Sequence, residues 1–418
     1  MKDRKEVIVI GGGVIGLFSA YYLMKSGHQV TIIDKGNLEK GCSHGNAGMI
    51  VPSHVMPMAA PGMISQGMRW MLSAESPFYV RPRMSSSLFS WGMKFYRSAT
   101  MEHVAKSIPA LRDLSFLSKE LYQDLARENN DFLYDEKGLL MLFRTDKTGA
   151  EEIEVAEVAQ KAGLEVGFLS KDEVRALETG VATSAIGGVH YKSDAHLSPN
   201  KLMAFLKHEL TALGVKWMLN TTVLDFEKKE NKIVGIITST GKVLGDEFVI
   251  SGGAWSLDIA RKTGLKLSLL PGKGYSFTLT KPIISPSIPS ILCEGKVAVT
   301  PMGDKIRFGG TLEITHTNDT IIRPKRVQGI VKSINDFYPT MNIETPKLDE
   351  TWFGFRPCSP DGLPYIGRCD EAQNLYCATG HAMMGLSLGP ATGKLIEEMI
   401  NQKDLSVNTH QFQPNRKF

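Results

Sequence analysis

The chain has 418 residues, of which 42% are apolar and 22% charged, and its formal net charge is +4 at pH 7. That length exceeds what one hydrophobic core supports, so two domains sharing an interface are expected. The charge is too slight for a nucleic-acid binder, and the five cysteines (Cys42, Cys293, Cys358, Cys369, Cys377) form no C-x-x-C pair, which favours reduced thiols over a disulfide framework or a zinc site.

At the N-terminus the charged stretch Met1 to Glu6 is followed by an apolar run that breaks at Gly11, Gly12 and Gly13, unlike a signal peptide. No window approaches eighteen uninterrupted apolar residues, so no transmembrane segment is expected. The expected location is cytoplasmic, with peripheral contact at the inner membrane left open.

Residues 6–35 read as strand, turn, helix, turn, strand. Val7 to Ile10 suits a buried parallel strand. Gly11, Gly13 and Gly16 carry the G-x-G-x-x-G spacing, in which the glycines serve the tight turn, the approach of a pyrophosphate and close helix–sheet packing. Val14 and Ile15 open the helix whose N-terminus faces that anion. Val30 to Ile33 is the second strand, and Asp34, followed by Lys35, stands where a carboxylate accepts hydrogen bonds from ribose. The order of these parts predicts a dinucleotide. Asp34 argues against NADP, and the unit alone does not separate NAD from FAD.

Residues 41–72 are rich in Gly, Pro, Ser and Met and read either as a loop beside the cofactor or as a surface loop. Apolar spacing predicts helices over 108–127 and 149–162, with a strand between them at 138–145. Ser198 and Pro199 start a helix that runs to Gly214. Successive strands follow, the last at Phe248 to Ile250, running into Gly252, Gly253, Ala254 and Trp255, a second place where backbone passes near the cofactor. Residues 266–349 are mostly strand-like, with one helix from Pro324 to Tyr338. The end of the chain is strand, glycine turn (Gly380 to Gly385) and helix. The fold class is therefore α/β. A Rossmann-like dinucleotide domain is built from 1–53, 196–265 and 350–418, and an interleaved antiparallel-sheet substrate domain from 54–195 and 266–349.

One residue stands out. Arg356, between Phe355 and Pro357, is a permanent cation in apolar surroundings and needs an anion. An internal partner such as Asp361 is one answer and a substrate carboxylate is the other. No metal cluster, serine–histidine–aspartate set or paired-carboxylate site is readable.

The stretches "VIVIGGGVIGLFSAYYL", "SHGNAGMIVPSHVMPMAAPG", "LLPGKGYSFTL", "GFRPCSPDGLPYIGR" and "GHAMMGLSLGPATGKLI" resemble the D-amino-acid oxidase-like FAD oxidoreductases, most closely the D-amino acid dehydrogenase branch. The resemblance implies non-covalent FAD, since Cys358 is displaced from the position at which relatives tether their flavin. It implies that Gly11, Gly13, Gly16 and Asp34 hold the ADP half, that Ser43, Asn46, Ala47, Gly48 and Met49 lie beside the flavin, and that Val223 meets the adenine side. Gly380, Gly385, Leu386 and Ser387 would present N–H groups to the flavin pyrimidine. Arg356 would grip the substrate carboxylate, with Tyr275 as a second donor and His381 beside the flavin. The implied activity is oxidative deamination of a D-amino acid, D-proline or D-hydroxyproline included, by hydride transfer from the α-carbon to flavin N5. The implied electron acceptor is a quinone or a protein partner. A glycine- or sarcosine-type oxidase releasing peroxide and a flavin subunit of an electron-transfer complex are the alternatives.

Overall fold

The computed structural model describes residues 4–39, 41–71 and 75–418. Two sheets organise it. The first has the strand order Tyr365–Arg368, Leu375–Thr379, Glu247–Ile250, Glu6–Ile10, Gln29–Ile33, Lys216–Met218. Every neighbouring pair is parallel except the first. Its central strands are continuous apolar runs, as burial on both faces requires. On one face the helices Val14–Lys25, Pro199–Ala212 and Gly389–Ile400 pack around Val7, Val9, Phe18, Leu206 and Leu395. On the other, an antiparallel meander (Val223–Lys229, Lys232–Thr238, Gly241–Leu244) closes over Ile8, Ile10, Phe248 and Ile250.

The second sheet runs Trp352–Cys358, Leu270–Thr280, Lys305–Ile314, Val297–Pro301, Ser290–Leu292, Leu139–Phe143, Gly187–Tyr191, Val166–Ser170, with Phe78–Val80 also paired to Lys305–Ile314. Its outer face carries Phe277, Phe308 and Leu292 against the helix Pro324–Phe337. The mixed α/β class and the Rossmann-like sheet agree with expectation.

Boundaries moved where packing outweighs local signal. The helix expected from 108 begins at Met101, capped by Thr100 Oγ1 accepting from His103 N, and contains Pro109 in its second turn. Residues 41–72 begin as a loop, as composition suggested, but also contain the strand Met49–Ile50 and the helix Met63–Trp70. Ser198 precedes its helix without making a side-chain cap, so Pro199 at the first turn is what marks that start.

Candidate active site

Both sheets contribute to one cavity of ≈ 1240 Å³. Ordinary ligand pockets span about 300–1,000 Å³, so this one has room for a large cofactor together with a small molecule. It runs from the glycine turn after Glu6–Ile10 to the inner face of the second sheet at Gly310, Thr311 and Arg356.

The glycine turn is built for close approach. Gly11 has φ +113°, open to glycine without strain, and a Cβ on Gly16 would lie 1.8 Å from the Gly11 carbonyl oxygen. Asp34 Oδ2 accepts from Gly12 N–H at 2.7 Å and Oδ1 from Gly36 N–H at 2.8 Å, which orients the carboxylate at the cavity wall. Ser43 Oγ accepts from Val14 N–H at 3.0 Å, tying the loop to the helix N-terminus. Lys35 Nζ sits 3.5 Å from the centroid of the Trp255 ring, and burial pulls its pKa down. A Cβ-free turn, an oriented acidic residue and a helix N-terminus together fit a dinucleotide cofactor.

Of the residues expected at the site, Gly11, Gly13, Val14, Ile15, Asp34, Lys35, Ser43, Asn46, Ala47, Met49, Val223, Gly252, Gly253, Trp255, Gly385, Leu386, Arg356, Tyr275 and His381 line the cavity. Four stand behind its wall. Gly16 packs on the Gly11 carbonyl, Gly48 has φ +79° against Leu197, and Gly380 has φ +80° against Tyr365. Ser387 is buried, with Oγ accepting from Val51 N–H at 2.9 Å. These four hold the wall in shape rather than form it.

Arg356 lies in the strand Trp352–Cys358 opposite Gly272, and its guanidinium passes over Gly274, where a Cβ would be 2.2 Å from Nη1. Nη1 donates to the Thr311 carbonyl at 2.6 Å. That carbonyl is aimed by a bulge. Lys273 pairs with Glu313 and Tyr275 with Gly310, so the Lys305–Ile314 strand holds one extra residue, and Thr311 takes φ +64°. Burial pulls the Arg356 pKa down, and the charged neighbours that act on it are Cys42 and Cys358 rather than a carboxylate. Among the described residues it makes no ion pair. Asp361, the internal partner considered above, is held by Arg416, whose Nε and Nη2 reach its two oxygens at 2.7 and 2.9 Å.

Tyr275 is not brought to Arg356. It faces Phe353 across the strands, whereas Arg356 faces Gly272, and alternation sends the two side chains to opposite faces of the sheet. Tyr275 packs with Phe277 and Phe308, and its hydroxyl stands 3.4 Å from Glu313 Oε2.

His381 is better placed. The next residue, Ala382, donates its N–H to the Pro357 carbonyl at 3.0 Å, and His381 bridges to Cys358. The Thr392 hydroxyl donates to Leu388 O at 2.7 Å, so its oxygen accepts from His381 Nε2–H at 3.0 Å. The tautomer follows. Nδ1 is a buried acceptor that has no partner among the described residues. Burial drives the imidazole pKa down to about 3, so the ring is neutral.

Sequence reasoning missed Arg307. From the Lys305–Ile314 strand it donates to His44 O at 2.9 Å, Asn46 O at 3.1 Å and Thr278 Oγ1 at 2.7 Å, and burial lowers its pKa to about 10. Ser276 Oγ adds a bond to Gly45 O at 2.9 Å. The loop expected beside the flavin is thus fastened to the second sheet. No groups of three or more potential metal ligands occur among the described residues, nor does a helix long and apolar enough to cross a membrane.

The family described as DAO, FAD dependent oxidoreductase, matches residues 6–399. A D-amino acid dehydrogenase of Helicobacter pylori is 31% identical over 97% of this chain and 98% of its own. D-amino acid dehydrogenase 1 of Mesorhizobium japonicum is 32% identical over 95% and 96%. Among solved structures, glycine oxidase from Geobacillus kaustophilus superposes with a TM-score of 0.80 at 24% identity, covering 99% of both chains. L-proline dehydrogenase from P. horikoshii gives 0.76 at 21%, covering 100% of this chain and 98% of the other. These two likenesses establish the fold.

Proposed function

The chain belongs to the FAD-dependent oxidoreductase family, and from that premise we propose that it dehydrogenates D-amino acids held by their carboxylate on Arg356. The observation that carries this reading is a guanidinium on the cavity wall with no carboxylate partner of its own among the described residues. A planar fork binds a carboxylate through two parallel hydrogen bonds and so fixes the α-carbon as well as the charge.

When bound, FAD supplies the two-electron acceptor for the hydride that leaves the α-carbon. The residues of the chain then orient and exclude water. Arg356, steadied by the Thr311 carbonyl, sets the carboxylate, and Gly274 leaves the space in which it does so. His381, kept neutral and in one tautomer by Thr392, supplies an acceptor for the substrate amine. Tyr275 has no part in holding the carboxylate. The cofactor contacts proposed are those that line the cavity, from Gly11 to Leu386, with FAD held non-covalently. The product is an imino acid, which hydrolyses to a 2-oxo acid or stays cyclic when the substrate is a proline.

The electron acceptor proposed is a quinone or a protein partner, in keeping with relatives named dehydrogenases. Anaerobic mixing of the yellow protein with D- and L-amino acids, glycine and N-methyl amino acids tests the reading. Bleaching of the flavin by D-amino acids supports it. Bleaching by glycine alone, with peroxide formed in air, overturns it. Arg356→Lys removes the fork but keeps the charge, and we expect kcat/KM to fall about tenfold to a hundredfold. Near-normal turnover in that variant would exclude Arg356 as the carboxylate site.

A further inference from the structure

The loop after Met49–Ile50 carries polar groups that the reading above leaves without a role. Met49–Ile50 pairs with Ala195–His196, Ile50 opposite Ala195, and the ladder sets Asp194 against Ser53. Asp194 is fully buried, and its carboxylate accepts from Ser53 N–H at 3.0 Å and from the Ser53 hydroxyl at 2.5 Å. The same hydroxyl oxygen lies 3.1 Å from His54 Nδ1.

His54 is half-buried on the cavity wall, and its Nε2 has no hydrogen-bond partner among the described residues. The wall around it is apolar, with Val51, Val55, Met49 and Met141 in one cluster. A serine hydroxyl has a single proton. While it donates to Asp194, Ser53 Oγ accepts from His54 Nδ1–H, and Nε2 is then a bare acceptor.

Burial raises the Asp194 carboxyl to about 7, opposed by the two Ser53 hydrogen bonds and by Lys119 on the neighbouring helix; Tyr191 also faces it. Burial and Lys296 lower His54 to about 4. Near neutrality the imidazole is therefore uncharged, and the variable is which nitrogen bears its proton.

We propose that Asp194, acting through Ser53, sets the tautomer of His54, and that Nε2 of His54 accepts a hydrogen bond from a donor on the substrate side chain, a hydroxyl or an amide N–H. His54 is then a specificity-determining residue and Asp194 a positioning residue. The proposal rests on the reading that an amino acid occupies the chamber. When Asp194 takes up a proton from solvent, its O–H donates to Ser53, the hydroxyl turns to Nδ1, and Nε2 bears the ring proton. One proton is gained overall, no bond to carbon changes, and the chamber presents a donor in place of an acceptor.

The test uses the FAD-loaded enzyme. Anaerobic flavin reduction is compared for near-isosteric pairs, D-threonine against D-valine and D-asparagine against D-leucine, from pH 6 to 9. The expected result is a preference for the donor-bearing member above pH 7, reduced about tenfold in His54→Leu, preserved in His54→Gln, and without its pH inflection in Asp194→Asn. In parallel, nitrogen NMR of histidine-labelled enzyme reads the tautomer directly, with His54→Gln assigning the signal. Nδ1–H is expected in the wild type, and Nε2–H in Asp194→Asn, whose amide donates to Ser53. An unchanged preference in His54→Leu, or the same tautomer in Asp194→Asn as in the wild type, overturns the proposal. If no amino acid bleaches the wild-type flavin, the assignment of the chamber falls and the selectivity with it, while the nitrogen shifts still decide the Asp194–Ser53–His54 linkage.

Discussion

Gly274→Ala isolates the guanidinium from everything else at the site. The added Cβ would stand 2.2 Å from Arg356 Nη1, 2.4 Å from Nη2 and 2.5 Å from Cζ. Carbon–heavy-atom contact needs about 3.5 Å, so the fork must retreat by about 1 Å. The clash falls wholly on the end of a flexible side chain, and Gly274 has no positive φ, so the strand itself tolerates alanine. What is lost is the 2.6 Å bond to Thr311 O and the registry of the fork with a carboxylate. A hydrogen bond from a charged group is worth about 1.5–3 kcal/mol, which corresponds to about a tenfold to hundredfold weakening of substrate binding. The assay is rapid anaerobic mixing, with the rate of flavin bleaching followed against D-amino acid concentration. The apparent Kd should rise by that factor, with the flavin spectrum and melting temperature close to wild type. A Kd within threefold of wild type, in a variant with normal flavin content, would refute the claim that this guanidinium holds the substrate.

Other consequences are as direct. Asp361→Ala should cost about 3–5 kcal/mol of stability by stranding Arg416, with turnover per bound flavin retained; loss of turnover without loss of stability would return Asp361 to Arg356. Burial depresses His381, His54 and His196 below the ordinary histidine value, so at pH 4 to 6.5 the unfolded chain binds protons that the folded chain does not, and stability should rise with pH across that window. Each histidine contributes at most about 1.4 kcal/mol per pH unit, and denaturant midpoints at pH 4.5 and 6.5 should differ less in His381→Gln than in the wild type. Acid precipitation should leave yellow FAD in the supernatant, since Cys358 is fully buried with its Sγ directed at the Arg356 carbonyl; flavin retained in the pellet would contradict non-covalent binding.

The legible parts of the sequence were those with short-range grammar. The glycine spacing, the strand before it and Asp34 lie within thirty residues, and each is a local requirement of one turn. The terminal glycine turn and the helix after Gly389 were legible for the same reason. Arg356 was legible as an anomaly, an unpaired cation in an apolar stretch, but that Asp361 belongs to Arg416 depends on chain folding back from fifty-five residues away. Tyr275 was misjudged because period-two alternation gives faces only after the register between Leu270–Thr280 and Trp352–Cys358 is known. Arg307 and the Thr311 bulge carry no local signal, since a buried arginine in a strand and a threonine with positive φ reveal themselves only in the paired sheet. The helix Ser86–Ser98 was likewise unreadable. Its one buried side chain, Trp91, bonds to Cys358 O at 2.9 Å, a contact across 267 positions.

The sheet order has a consequence for biosynthesis. Glu6–Ile10 is among the first segments made, yet one of its neighbours, Glu247–Ile250, arrives hundreds of residues later, and that strand in turn waits for Leu375–Thr379. The helix Val14–Lys25 stays uncovered until Gly389–Ile400 emerges, with Gly393 pressed against Phe18. The nascent chain therefore carries its glycine turn on an open strand edge through nearly the whole of translation, an aggregation hazard that chaperones exist to cover. Capture of the flavin becomes a late event, and any truncation that removes the last forty residues should yield an insoluble chain rather than a colourless folded one.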